Sequence, residues 1–136
     1  MQATTFRSFY NTQAMMTTKQ ECGAAGEQAA VDWLRANGFM IMERNWRNGR
    51  YEIDIIASRW GVVHIIEVKT RHAGSLTLPE DAITGHKFRS LRRAASAYTA
   101  QHRLQAELQF DLIAVESADN GAMSVRMVEN AMQCNW

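Results

Sequence analysis

The chain of 136 residues has one proline, two cysteines, almost no net charge and no apolar run near the length of a membrane span. A spanning helix needs about 20 predominantly apolar residues, so no membrane partner is expected. One proline and eight glycines exclude a collagen or a proline-rich linker, and 46% hydrophobic residues exclude a disordered chain. Cys22 and Cys134 lie near opposite ends, form no CxxC pair and do not cluster with the four histidines, which argues against a zinc site. Both are expected to be free thiols in a reducing compartment. The N-terminal stretch lacks the continuous apolar core of a secretory signal, so a cytoplasmic location is expected. Residues 1–18 read as a flexible leader, 19–131 as one domain with a real core, and 132–136 as a tail.

The formal charge of +1 argues at first against nucleic acid, but it sums opposed segments. From Glu67 to Arg103 there are seven Lys/Arg and three acids, a balance of +4; from Leu104 to Trp136 there are one Arg and five acids, a balance of −4. A basic stretch of this kind is what a polyanion would meet.

What is present is periodicity. Ala25, Ala29, Trp33 and Ala36 recur at helical spacing between Glu21 and Asn37, and Gly38 is a stop signal. Phe39–Trp46, Tyr51–Ser58 and Val62–Thr70 read as strands separated by Asn48-Gly49 and Trp60-Gly61. The third is apolar on both sides of its pleat, the mark of a central strand. A second helix is expected over Thr84–His102, with the stripe Phe88, Leu91, Ala95 and Tyr98, and two closing strands over Glu107–Glu116 and Met123–Val128. Together these predict an α/β fold: a mixed sheet flanked by helices.

Chemistry concentrates in two of the strands. In Glu52-Ile53-Asp54-Ile55 the acids fall on one face and the isoleucines on the other, and Glu67 and Lys69 share a face of the next strand. A hairpin would converge Asp54, Glu67 and Lys69. Two carboxylates suit Mg²⁺, which takes hard oxygen ligands and keeps several waters. A lysine beside them can stabilise developing charge or orient water. Exposed strand faces also carry such charges as simple cross-strand pairs, but these acids sit within apolar strands, where a charge seldom lacks a partner.

Further motifs sharpen the reading. Gly23-x-x-Gly26-Glu27-x-x-Ala30, Arg44-Asn45-Trp46-Arg47, Glu52-Ile53-Asp54-Ile55-Ile56-Ala57, Glu67-Val68-Lys69-Thr70-Arg71, Lys87 with Arg92 and Tyr98, and Phe110-Asp111-Leu112-Ile113-Ala114-Val115 occur in that order. With these the chain resembles the YraN-like family of uncharacterised bacterial proteins, related to archaeal Holliday junction resolvases and the restriction-endonuclease-like superfamily. The resemblance implies an αβββαβ core, here with an additional C-terminal strand. It implies a Mg²⁺ or Mn²⁺ site on Asp54 and Glu67, Lys69 beside it, and Glu27 as a further acid. Glu52 would be an accessory acid. It also implies a homodimer acting on branched DNA by phosphodiester hydrolysis. Tyr51 stands where the family often has Gly, and would narrow the groove or contact substrate.

The helix-dipole alternative for Glu27 is a first-turn acid. Arg44, Arg47, Arg71, Lys87, Arg92 and Arg93 are the candidates for contact with nucleic-acid phosphates, with solvated surface charge as the plainer account of each. Arg89 shares an arc of the second helix with Arg92 and Arg93 but is the weaker candidate. Trp46, Trp60 and Tyr51 could stack on bases or anchor strand ends. Two other functions fit these residues: a non-catalytic nucleic-acid-binding protein that keeps the nuclease fold, and a protein-interaction module.

Overall fold

In chain order the elements are β1 (Thr5–Phe9), α1 (Lys19–Ala36), β2 (Met40–Asn48), β3 (Tyr51–Arg59), β4 (Val62–His72), α2 (Gly85–Gln101), β5 (Glu107–Ser117) and β6 (Ala122–Val128). They come from a computed structural model that describes residues 5–9, 19–75, 78, 81 and 83–132. The strands form one sheet in the order β1-β6-β5-β4-β3-β2. β4 and β5 are parallel and every other neighbouring pair is antiparallel. A parallel pair needs a long crossover, and α2 supplies it. The arrangement from α1 to β5 is the restriction-endonuclease-like αβββαβ core, and β6 is the additional strand.

Thr5–Phe9, which the sequence reading leaves in the leader, forms an edge strand paired with β6 from Thr5↔Arg126 to Phe9↔Ala122. Cys134, with the rest of the tail from 133 onward, lies outside the described residues, as do 1–4 and 10–18 of the leader.

Two apolar layers sandwich the sheet. One packs Ala29, Ala30, Trp33 and Leu34 of α1 over Ile55, Ile66, Ile113 and Val115. The other packs Phe88, Leu91, Ala95 and Tyr98 of α2 over Ile53, Ile56, Ile65 and Leu112. β4 therefore contributes to both faces, as its unbroken apolar run requires. The buried face of α1 is wider than the predicted stripe: Val31 and Leu34 are fully buried, and Ala36 is exposed. α2 starts as read, with Thr84 as its N-cap, the Thr84 Oγ1 accepting from the Lys87 N–H at 3.1 Å.

α1 lies close to β4 because Gly26 faces Thr70; a Cβ at Gly26 would collide with the Thr70 side chain. The Thr70 Cβ itself would stand 3.1 Å from the added atom, so turning χ1 does not clear the space. Gly26→Ala is therefore expected to lose about 1–3 kcal/mol by overpacking, although alanine is the better helix former by about 1 kcal/mol. Gly23, where a Cβ meets nothing within 4 Å, should show the opposite sign on the same substitution. Urea unfolding of the two variants checks this; equal shifts would show that Gly26 is not a close-approach residue.

Candidate active site

Regular alternation fails in β2, at a register shift between Ile41 and Glu43 and again at Asn45. Arg44 and Trp46 of β2 should share a face, yet Arg44 reaches Gln28 of α1 while Trp46 packs edge-on against Tyr98 of α2. Their register partners divide the same way: Ile55 belongs to the α1 layer and Ile53 to the α2 layer. The expectation that Ile53 and Ile55 share a face is thus corrected. Between the two pairs, Asn45 and Asp54 are not matched in the ladder, and Asn45 takes a φ of 50°. Asn is among the few residues that tolerate this left-handed backbone, and the reversal it permits flips both strands.

Asp54 sits on that reversal. The β3–β4 ladder stops at Ile55↔Ile66, and one residue further on the Asp54 Oδ2 accepts from the Val68 N–H at 2.9 Å. A side-chain carboxylate has replaced a backbone partner where the strands part. The opening is a cleft of about 820 Å³ whose lining includes Glu27, Asn45, Glu52, Asp54, Lys69 and Arg71.

The acids reach Asp54 from both faces of the sheet. From α1, Glu27 Oε1 accepts from Asn45 Nδ2 at 2.7 Å and lies 3.6 Å from Arg44 Nε. From β4, Glu67 Oε1 lies 3.3 Å from Lys87 Nζ on α2. Burial raises the pKa of all three acids. The Asp54 charge raises Glu27 and Glu67 further, and Lys87 and Lys69 offset only part of this for Glu67, which is pushed up to about 7. For Asp54 the Val68 N–H and the two lysines oppose burial and the nearby Glu52. A buried Glu67 and partly buried Asp54 and Glu27, with the Asp54 charge opposing both of the others, are unfavourable for folding and point to a site kept for chemistry.

The sequence-derived residues fall into three groups. Asp54, Glu67 and Glu27 form the acidic cluster, and Lys69 lines the cleft beside it. Glu27 stands two turns into α1, so the first-turn dipole account does not apply. Arg71 also lines the cleft, its Nη1 donating to the Thr70 carbonyl at 3.2 Å. Glu52 is at the rim in an exposed pair with Arg47 at 3.2 Å. Arg44 and Lys87 are engaged with Glu27 and Glu67 and so belong to the acidic cluster. Arg92 and Arg93 are elsewhere, on the outer side of α2. Trp46 is 8% exposed and anchors the core.

Sequence reasoning missed Asn45 as the residue holding Glu27, and Lys87 as the partner of Glu67. The first had a signal, an Asn inside a strand pattern. The second had none, because nothing local links residue 67 to residue 87. Among the described residues, no three His, Cys, Asp or Glu are gathered closely enough to hold an ion by themselves, and no helix is long and apolar enough to cross a membrane. Cys22 is a free thiol at the cleft wall, 3.8 Å from Ser117 Oγ.

Residues 26–115 match the Uncharacterised protein family UPF0102. A UPF0102 protein of Bacteroides fragilis is 43% identical over 93 residues, 68% of this chain and 77% of its own. A UPF0102 protein of Symbiobacterium thermophilum is 43% identical over 112 residues, 80% of this chain and 93% of its own. One from Beutenbergia cavernae is 38% identical over 111 residues, covering 81% and 94%. The matched span takes in α1 from Gly26, the whole of the Asp54–Glu67 hairpin, α2 and most of β5.

Proposed function

The chain belongs to the UPF0102 family, the YraN-like proteins, and from its acidic cleft we propose that it is a Mg²⁺- or Mn²⁺-dependent endonuclease that hydrolyses phosphodiester bonds in DNA. The observation that carries this reading is Asp54, held by the Val68 N–H where β3 and β4 part, with Glu27 and Lys69 lining the same cleft and the buried Glu67 near enough for the Asp54 charge to raise it.

The donor set fits a hard divalent cation. Asp54 and Glu67 offer carboxylate oxygens; Asp54 Oδ2 accepts from the Val68 N–H, and Glu67 Oε1 is paired with Lys87. Two carboxylates with water completing the shell is a pattern Mg²⁺ adopts. When bound, such an ion supplies Lewis-acid polarisation of a phosphoryl oxygen and eases the loss of a proton from water. The remaining work falls to the chain itself. Val68 fixes the Asp54 carboxylate, Lys87 holds Glu67 toward the α2 side, and Asn45 and Arg44 hold Glu27 toward the cleft. Lys69 stabilises the charge that grows on the attacked phosphate, and Arg71 meets a neighbouring phosphate. A homodimer would carry one cleft for each strand of a branched substrate, and a cytoplasmic location fits that task.

The test is a cleavage panel of branched, flapped, single-stranded and duplex DNA, and RNA, with Mg²⁺ or Mn²⁺, comparing wild type with Glu67→Gln. Cutting by the wild type alone is the expected result. Calorimetry with Mn²⁺ should show a site that the Asp54→Ala, Glu67→Ala double variant loses. Equal cutting by wild type and variant would point to a contaminant and sink the mechanism. DNA affinity without any metal effect would favour a binding protein on the same fold.

A further inference from the structure

α2 carries four Lys/Arg side chains and its own first turn contains no acid; in fact Gly85–Gln101 has no Asp or Glu at all. Charged helix faces in water usually pair each cation with an acid three or four residues away. Here Arg92 and Arg93 stand at that spacing from Arg89 instead. With Tyr51, Ser96 and Ala97 they line a groove of about 550 Å³. The Arg92 guanidinium lies 5.6 Å from the Phe88 ring centroid, and no carboxylate enters the lining. Three adjacent guanidinium groups repel one another, and the partner that removes the repulsion is a polyanion.

The groove also has a direction. Tyr51 lines it, and the next residue, Glu52, lines the acidic cleft. Consecutive strand residues face opposite sides of a sheet, so the groove and the cleft flank the sheet's end at the first residues of β3, and α2 itself carries both the groove arginines and the Lys87 that holds Glu67. Tyr51 is half-buried, with the Arg50 guanidinium 5.8 Å from its ring centroid. A ring recessed between groove walls can stack only on a base that is already unpaired.

We propose that the Arg89–Arg92–Arg93 groove is a track for a single-stranded segment of nucleic acid, which Tyr51 hands to the cleft by stacking on an unpaired base. This rests on the nuclease reading for its destination. The guanidinium groups bind successive phosphates, and the tyrosine tolerates any base because every base presents a flat face. The substrate class that follows is DNA with an unpaired strand beside the scissile phosphate, such as a tail, a flap or an opened junction.

The experiment measures the binding of a fluorescent duplex with a single-stranded tail, and of a blunt duplex of equal phosphate number, by anisotropy across a salt series in Ca²⁺, followed by cleavage in Mg²⁺. Wild type should prefer the tailed duplex. Arg89→Gln/Arg92→Gln/Arg93→Gln should flatten the salt dependence on the tailed probe by about two, the slope change for three single-strand phosphate contacts. Tyr51→Ala should weaken the tailed probe about tenfold and Tyr51→Phe should not, while the blunt duplex is unaffected by any of the three variants. Circular dichroism checks that the variants fold. The same losses on both probes, no loss on either, or equally strong competition by polyglutamate would overturn the track. Wild-type cleavage that is indifferent to the groove variants would overturn it while leaving the nuclease reading intact. Groove-dependent binding of the tail with no cleavage would support the track and count against the nuclease reading.

Discussion

Glu67→Gln is expected to remove metal-dependent cleavage by at least about 10²-fold, since outer-sphere partners alone are worth about 10–100-fold at metal sites, and at the same time to make the fold more stable. The two effects have one cause. The Glu67 carboxyl is 8% exposed, and burial together with the Asp54 charge pushes it up to about 7 from an ordinary 4.5. The folded protein then holds that proton more tightly than the unfolded chain does. The stabilisation from proton binding is complete below about pH 4.5 and is lost as pH rises through about 7. Above that pH the folded state carries a charge it disfavours, and Gln removes it. The gain at pH 8 is on the order of 1–3 kcal/mol, a rise of several degrees in Tm. At pH 5, where wild type is largely protonated, the difference should nearly vanish. Mn²⁺ should raise the wild-type Tm at pH 8 and leave the variant unmoved. Scanning calorimetry at the two pH values, with and without Mn²⁺, decides the matter. A lower Tm for the variant at pH 8 would mean that Glu67 and Lys87 form a structural ion pair and that the site is not held at a cost.

Asp111→Ala is expected to have the largest effect on stability, a loss of about 3–5 kcal/mol, because it strands several buried hydrogen-bonding groups at once. Asp111 is wholly buried on β5. Its Oδ2 lies 2.6 Å from His64 Nδ1, and its Oδ1 accepts from Gln109 Nε2 at 2.9 Å and from the Asn130 N–H at 2.8 Å. His64 is itself 3% exposed and packs edge-on against Phe39, with the ring centroids 4.9 Å apart. Alanine would leave the imidazole and a backbone N–H without their acceptor in a dry layer. Asn keeps one acceptor oxygen and should lose less. Urea midpoints give both values, and an unchanged slope would show that the denatured state is not altered. Because domains of this kind carry only about 5–15 kcal/mol in total, Asp111→Ala should be partly unfolded when warm. A midpoint within experimental scatter of wild type would show that water or a neighbouring group takes over the acceptor role.

These two buried acids show how far local sequence reasoning reaches. Asp111 and Glu67 look alike in the chain, each a carboxylate inside an apolar strand, and the family resemblance includes both segments. One is fully satisfied by His64, Gln109 and Asn130; the other is raised by its surroundings and has a single lysine partner. Strand periodicity cannot separate them, because the difference lies in partners 2, 19, 20 and 47 positions away.

The chain by itself determined the helices, the β2–β6 strands, the double-sided burial of β4, and the gathering of Asp54, Glu67 and Lys69 on one hairpin. Each follows from spacing of apolar residues along a few turns or pleats and from turn signals such as Trp60-Gly61. The tertiary structure alone decided which acids meet. Alternation predicts that Asp54 looks to one face only; instead the strands reverse at Asn45 and Asp54, and the Asp54 charge is felt both by Glu27 of α1 and by Glu67 of β4. The reversal is a property of two paired strands held between two helices, so no stretch of sequence read alone contains it. The pairing of β1 with β6 and of Lys87 with Glu67 is invisible for the same reason: the energy that selects these contacts comes from residues brought together only after the sheet has formed.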